Sequence, residues 1–407
     1  MTPAFYIALR FIVSRKRAFV TSMIGVVCGV AFFICAQAQT QGFEEYFVQT
    51  VLGSRGSIVI SDRFQSRYTQ FEGTDSLVVG SGQQRRKYYD GIDDPYRVIR
   101  MARSFSSVLG AAPVVHGSIS ITSSFQTEIV RLEGIDLRYH LQTTSLHDQI
   151  IAGSINHFRS HPFAVILGSL LADKLQVKSG DNVVLTAVDG SKKTFSVAAI
   201  FRSGVNMIDS SCAYTHIKIA QSLLDKPSAA STIIVRLRNP DRAPQIAEHF
   251  ERLFHHRSRS WQEREKGNLQ VFKTLRVSAA ITVSLIILLA GFGIFNVLTL
   301  TVLDKVREIA ILRSMGYRRR DILAIFLWQG ILIAALGSLL GAVLGAALTY
   351  GISLIPLKIR GILYADHFVV SWSAWHYVSA IMIAFIAVLA AAIFPRGGRR
   401  AFLLCIF

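Results

Sequence analysis

Long apolar runs set the first limit on how this chain of 407 residues can fold, and they are unevenly placed. One run covers residues 19–38, and three more follow at 277–303, 322–356 and 375–394. A helix of about 20 apolar residues crosses the ~30 Å hydrocarbon core of a bilayer, because each residue adds about 1.5 Å. The sequence therefore predicts four transmembrane helices, the first of which is separated from the others by a long polar stretch.

The polar stretch has the composition of a water-facing domain. Charged residues make up only 17% of the whole chain, below the quarter usual in soluble domains, and the deficit lies in the apolar runs. Short β-branched runs alternate with small helices between residues 112 and 237. We expect a mixed α/β domain in residues 40–272, inserted between the first helix in residues 1–39 and the other three in residues 273–407.

Local patterns within this domain predict individual elements. β-Branched and alternating apolar residues predict strands, and short amphipathic runs predict helices. The strands are expected at residues 57–61, 114–121, 127–132, 164–167, 182–187, 194–201 and 232–237, and the helices at 170–175 and 246–254. The basic stretch at residues 252–264 is interpreted as a solvated helix.

Basic residues crowd the ends of the apolar runs, which sets the orientation. The net charge is +18, yet residues 40–272 hold 27 Lys and Arg against 22 Asp and Glu. The excess lies in clusters at residues 10–17, 305–320 and 396–400. Four helices place all three clusters on one side, as the positive-inside rule requires. This arrangement predicts cytosolic termini and makes nucleic-acid binding a poor interpretation.

Two features of the apolar runs have alternative interpretations. The sequence Ala36-Gln37-Ala38 fits a small-x-small cleavage site, so a cleaved signal peptide is the alternative to a first transmembrane helix. Glycines recur every four residues in the first and third runs, which would let helices approach closely in lipid, although glycine is also simply tolerated there. The glycines concerned are Gly25, Gly29, Gly337, Gly341 and Gly345.

No set of residues in the sequence indicates catalysis, a cofactor or a metal. The phosphate-binding pattern Gly-x-x-x-x-Gly-Lys-Ser/Thr does not occur in the sequence. His157 and His161 could share a helix face as metal ligands, but Pro162 and the lack of an acidic third ligand favour a surface pair. We therefore expect a non-enzymatic chain without a cofactor of its own.

The segment between the second and third apolar runs, residues 304–321, is the most informative. Apolar residues recur there at three-residue steps, charged residues surround them, and a glycine follows that can end a helix. A short amphipathic helix of this kind suits docking into the groove of a partner. The alternative is an interfacial helix with snorkelling basic side chains. The candidate residues are Lys305, Arg307, Glu308, Ile309, Leu312, Arg313, Met315 and Gly316.

This segment resembles the coupling helix of the four-span permeases of the FtsX/MacB superfamily. The similarity begins at Phe295-Asn296 and runs through Gly316, and Gln329-Gly330 with Gly337 and Gly341 resembles the third span of that family. Four further stretches are similar to the lipoprotein-release subunits LolC and LolE. They are residues 41–44, residues 132–136, residues 167–172 with Gly180-Asp181, and residues 204–209.

The resemblance implies a permease in the bacterial inner membrane, paired with an identical or different second permease. A separate ABC-type ATPase would bind ATP and Mg²⁺ and push on the coupling helices. Motion would then reach the periplasmic domain, which would act on a lipoprotein or another periplasmic substrate, with a periplasmic carrier as a further partner. Export of peptides or small molecules in the manner of MacB, and regulation of a cell-wall hydrolase in the manner of FtsX, are the alternatives.

One stretch departs from the family. The family usually continues after its fourth span with Pro-Ala-Arg-Arg-Ala, whereas Pro395 is followed here by Arg396-Gly397-Gly398-Arg399-Arg400-Ala401. The segment after Pro395 therefore departs from the family pattern, and a truncated end and an altered one are both open interpretations.

Overall fold

A computed structural model describes residues 5–7, 10, 16–62, 91–92, 94–226, 230–304, 306–356 and 368–393. The chain forms two compact units, which we call the helical unit and the sheet unit. The helical unit comprises Met1–Tyr46, Gln270–Leu357 and Asp366–Phe407, and the sheet unit comprises Phe47–Leu269 and Lys358–Ala365. The domain limits expected at residues 40 and 272 stay predictions. The basic cluster at residues 396–400 and Lys305 lie outside the described residues.

The elements follow one another in this order: α1 (Lys16–Arg55), β1 (Ile58–Ser61), α2 (Pro95–Arg103), β2 (Val108–Thr122), β3 (Thr127–Ile135), α3 (Leu137–Thr143), β4 (Ile150–Gly153), α4 (Ile155–Ser160), β5 (Ala164–Gly168), α5 (Ser169–Leu175), β6 (Asn182–Thr186), β7 (Lys192–Phe201), α6 (Asn206–Ser211), β8 (Cys212–His216), α7 (Ile217–Leu223), β9 (Thr232–Leu237), α8 (Ala243–Phe254), β10 (Arg257–Ser260), α9 (Trp261–Arg264), α10 (Lys266–Asp304), α11 (Val306–Ser314), α12 (Arg319–Ser353) and α13 (Ala374–Ile393). A 3₁₀ turn at Pro240–Arg242 leads into α8.

Three stretches of helix in the described part of the chain are long and apolar enough to cross a membrane: Phe19–Arg55, Lys266–Leu289 and Arg320–Ser353. A shorter apolar stretch, Ala374–Ala390, lies within α13. Apolar side chains from all four helices share one buried cluster, which includes Val30 of α1, Ile287 of α10, Ile333 of α12 and Ala384 of α13. The chain is therefore a membrane protein with several apolar helices.

The sheet unit is built on a ten-stranded mixed sheet in the order β10-β1-β9-β2-β3-β8-β5-β7-β4, with β6 paired to β2 and β7. Two neighbouring pairs, β3 with β8 and β5 with β7, run parallel. Alternate residues of β5 enter opposite cores, because Val165 and Leu167 pack with α5 and α7 whereas Ala164 and Ile166 pack with α4. Helices cover both faces, which explains why a short central strand is a continuous apolar run.

The strands with a clear apolar pattern lie where the sequence predicts them, and β9 matches its predicted range, Thr232–Leu237. The expectation of a solvated helix at residues 252–264 is wrong. Helix α8 ends at Phe254, and the chain then forms β10, whose four residues pair with β1 in antiparallel register. Pairing with a buried strand outweighs the low strand propensity of the sequence Arg-Ser-Arg-Ser.

Candidate functional site

The connector between the second and third apolar helices forms the short helix α11, which ends in a tight turn at Gly316. The backbone N–H of Tyr317 donates to the Leu312 carbonyl at 3.2 Å, and the N–H of Gly316 donates to the Arg313 carbonyl at 3.1 Å. This is the Schellman pattern, in which the glycine takes a left-handed conformation, here with a φ of +93°. The sequence therefore needs a glycine at this position, since a side chain would be strained there.

Four residues, 315–318, separate the end of α11 from the start of α12. The backbone N–H of Arg318 donates to Oδ2 of Asp321 at 2.8 Å, and the N–H of Asp321 donates to the Arg318 carbonyl at 2.9 Å. Hydrogen bonds thus close the end of α11 and the start of α12. Because hydrogen bonds stabilise both ends of this short turn, it is suited to transmit a displacement of α11 to α12.

An apolar pair at the end of α11 is exposed: Ile311 lies within the helix, and Met315 directly follows its last residue. The side chains of Ile311 and Met315 are 55% and 71% exposed, and they are four residues apart, which places them on one helix face. Leu312 is half-buried. Met315 and Leu312 were predicted from the sequence pattern but Ile311 was not, because steps of three residues from Ile309 pass over it. Exposed apolar neighbours of this kind are suited to contact a partner.

Two charged candidates of the connector lie on the same side of the helix as this apolar pair, because Arg307 and Glu308 precede Ile311 by four and three residues. Arg313 is two residues from Ile311 and lies on another face. Arg307, Glu308 and Arg313 are exposed. The position of Ile309 lies within α11, but its side chain lies outside the described residues, as does the whole of Lys305. The arrangement provides apolar contact area with a charged rim, which is the usual composition of a protein interface.

The candidate glycines lie where helices approach each other. A Cβ on Gly337 would meet Val26 of α1 at 3.0 Å, one on Gly341 would meet Val30 at 2.8 Å, and one on Gly345 would meet Ala31 at 3.2 Å. The small face of α12 thus packs along α1. A Cβ on Gly29 of α1 would lie 2.9 Å from Ile287 of α10, while Gly25 is half-buried.

The histidine pair of the sheet unit is a surface feature. The rings of His157 and His161 stack with centroids 4.1 Å apart, and both residues are exposed. Within the described ranges, no group of three or more His, Cys, Asp or Glu side chains is placed to hold a metal ion.

Asp209 is a buried carboxylate that organises its own loop. Oδ1 accepts hydrogen bonds from the backbone N–H and the hydroxyl of Ser203, both at 2.7 Å, and Oδ2 accepts one from the Gly204 N–H at 3.3 Å. Burial raises the pKa of Asp209, and these hydrogen bonds oppose the rise. Because the carboxylate oxygens are occupied by the loop, the residue has a structural role.

Two family models cover most of the chain. The model of the MacB-like periplasmic core domain matches residues 19–253, and that of the FtsX-like permease C-terminal domain matches residues 280–400. The first match alone exceeds half of the chain. The chain therefore belongs to the family of membrane permeases that combine a MacB-like periplasmic core domain with an FtsX-like permease domain.

Individual relatives narrow this class. The chain is 24% identical over 366 residues to the lipoprotein-releasing system transmembrane protein LolC of Neisseria meningitidis, which covers 85% of this chain and 82% of the relative. It is 23% identical over 399 residues to LolE of Haemophilus influenzae, covering 92% and 90% respectively. The chain is an ABC transporter permease of the LolC/LolE type.

One solved structure shows a distant similarity to this chain. The periplasmic region of MacB from Actinobacillus actinomycetemcomitans aligns with a TM-score of 0.36 at 12% identity, covering 55% of this chain and 98% of that structure.

Proposed function

We propose that this chain is the permease subunit of an ABC transporter that uses ATP hydrolysis by a separate ATPase to move its sheet unit, and that it releases lipoproteins from the bacterial inner membrane. The observation that carries the coupling step is α11, with its exposed pair Ile311 and Met315 and its closed turn into α12. Similarity to LolC and LolE along most of the chain supports lipoproteins as the cargo.

The proposed topology has four spans, in α1, α10, α12 and α13, with both termini in the cytosol. The sheet unit then lies in the periplasm, and α11 lies on the cytosolic side, where an ATPase could reach it. The basic clusters at residues 10–17, 305–320 and 396–400 support this orientation, since all three face the cytosol in it.

The proposed assembly contains a second permease, either another copy of this chain or a related one, and a pair of ATPase subunits. ATP and Mg²⁺ would be bound by the ATPase pair, and this chain would take no part in the chemistry. Its task would be mechanical: α11 would receive the movement of the ATPase, and α1, α10 and α12 would carry it. Lipids and a periplasmic carrier for the released lipoprotein would be the remaining partners.

The coupling surface is tested by placing charge on the exposed apolar pair. Glu at either position would put a carboxylate into an apolar contact, so Ile311→Glu and Met315→Glu are expected to weaken ATPase binding about 10-fold or more. Charge reversal at Arg307 or Glu308 is expected to uncouple hydrolysis from transport. The measurements are co-purification with the ATPase and ATP-dependent lipoprotein release in proteoliposomes.

The matched control is Val188→Glu, because Val188 is 67% exposed, close to the 71% of Met315, and lies in the sheet unit. This variant is expected to keep wild-type ATPase binding. The isolated permease should hydrolyse no ATP. ATP hydrolysis by the isolated chain, or wild-type binding by both α11 variants, would contradict the proposal.

A further inference from the structure

Four consecutive residues of α1, Gly42 to Glu45, each contact a residue outside that helix, and we call these four residues the α1 joint. The joint lies in the last turn of α1 before the helical unit ends at Tyr46. The four contacts pair Gly42 with Val370, Phe43 with Phe272, Glu44 with Arg276 and Glu45 with Ser371. Residues 42–44 belong to a stretch that resembles the family, and the proposed function does not explain the contacts of these residues.

One side of the joint holds the extended segment that precedes α13. A Cβ on Gly42 would lie 2.6 Å from Cα of Val370, so the two backbones touch and a larger residue would not fit. The backbone N–H of Ser371 donates to the Ala38 carbonyl at 2.9 Å, and its hydroxyl donates to Oε1 of Glu45 at 3.2 Å. The segment is thus fixed to α1 over two helical turns.

The other side of the joint holds the start of α10. The rings of Phe43 and Phe272 meet edge to face with centroids 5.7 Å apart. One turn further along α10, Arg276 forms an ion pair with Glu44. The side chains of Glu44 and Arg276 are only partly exposed, at 25% and 41%. Solvent screens a partly buried ion pair less than a surface ion pair, so this pair fixes the relative positions of its two helices more strictly.

We propose that the α1 joint is the positioning element that makes α1, α10 and the entrance to α13 move as one body in each transport cycle. This inference rests on the proposed function. The chain passes from the helical unit to the sheet unit only a few residues beyond the joint, within α1 after Tyr46 and within α10 before Gln270. Two separate helices deliver movement to one domain efficiently only if they cannot slide past each other, and close packing with a charge pair prevents sliding.

The ion pair gives a test that separates positioning from folding. Glu44→Arg and Arg276→Glu each place like charges together, and the double variant restores an opposite-charge pair with its ends exchanged. Each single variant is expected to keep ATPase binding and ATP hydrolysis while lipoprotein released per ATP falls about 10-fold, and the double variant is expected to recover to within about 3-fold of wild type. A merely structural role would lower complex yield and hydrolysis together.

A second variant pair tests the backbone contact and guards against a folding artefact. Gly42→Val would force Val370 away, whereas Gly351→Val changes a glycine that has no heavy atom within 4 Å of its Cβ position. Only Gly42→Val is expected to reduce release per ATP. Wild-type lipoprotein release per ATP in Glu44→Arg, Arg276→Glu and Gly42→Val would contradict the proposal that the α1 joint is a positioning element. Absence of ATP-driven release by the wild-type complex would instead count against the proposed function.

Discussion

His140 of the sheet unit is a buried titratable side chain, 1% exposed, whose ring lies 5.6 Å from that of Tyr214. Its Nδ1 has no hydrogen-bond partner among the described residues. Burial lowers the pKa of His140 from 6.5 to about 4. The unfolded chain therefore binds a proton as pH falls through 6.5, while the folded chain binds it only near pH 4, so stability that is present above pH 6.5 is lost towards pH 4.

Replacing His140 by Phe is expected to remove this acid sensitivity. In the wild type, the linkage predicts a loss of about 2 kcal/mol of unfolding free energy between pH 7 and pH 5. The measurement is hydrogen exchange of β8, which contains Tyr214, at both pH values after correction for intrinsic exchange rates. His161→Phe, at an exposed position, is the control and should retain the wild-type loss. An unchanged loss in His140→Phe would contradict the assignment.

Single residues were predictable where their chemistry is local. The requirement for glycine at position 316 follows from the helix that ends there, and the structure places a left-handed turn at this residue. The partner of Glu44 was not predictable, because Arg276 is 232 residues away and no pattern in the sequence links the two residues. The buried state of His140 was likewise hidden, since burial depends on the strands that pack around it.

At the scale of elements, the stripe Gly337, Gly341 and Gly345 makes α12 smooth enough to pack on α1. A Cβ on Gly341 would lie 2.8 Å from Cβ of Val30 and 3.0 Å from the backbone carbonyl of Val27. The carbonyl belongs to the helix backbone and cannot rotate away. In lipid, where apolar burial gives no preference for helix contact, this close fit supplies much of the attraction between helices.

Gly341→Ala is therefore expected to lower the thermal unfolding midpoint of the detergent-solubilised protein. The overpacking costs about 1–3 kcal/mol, which exceeds the roughly 1 kcal/mol that alanine gains in helix propensity. Gly351→Ala is the matched control, because it carries the same propensity gain in the same helix without any neighbour within 4 Å. This control should match or exceed the wild-type midpoint. Equal midpoints for the two variants would argue against close packing at Gly341.

Some elements are predictable from their own residues, whereas others form only because of the strands with which they pair. Strand β9 and helix α12 have strong apolar patterns, and both lie where the sequence predicts them. Strand β10 has no such pattern, since Arg257 and Arg259 alternate with two serines, and it forms because β1 offers backbone partners in register. Strand β8 was missed for a related reason. A run of five residues cannot be distinguished from a buried helix segment by its sequence. Its pairing with β3 and β5 determines that it is a strand.

At the scale of the whole molecule, apolar runs and basic clusters predict the division between membrane helices and a water-facing stretch. The compact units divide within α1 and α10, at Tyr46 and Gln270. Both helices continue past the bilayer thickness, because α1 has 40 residues and α10 has 39, against about 20 needed to cross. Hydropathy locates the apolar part of each helix but not where the helix ends, so the continuation of α10 back to Lys266 required the structure.

The proposed topology can be tested with thiol labelling at two sites of equal exposure. Phe125, in the turn between β2 and β3, is 69% exposed, and Met315, after α11, is 71% exposed. If the sheet unit is periplasmic and α11 cytosolic, a membrane-impermeant maleimide should label Phe125→Cys in intact spheroplasts and Met315→Cys only after lysis, because a charged reagent does not cross the bilayer. Both variants are made in a chain whose four native cysteines are replaced, and that chain alone is the control. In the four-span arrangement one span, in α10, separates the two sites and places them on opposite sides of the membrane. Labelling of Met315→Cys before lysis would contradict this arrangement.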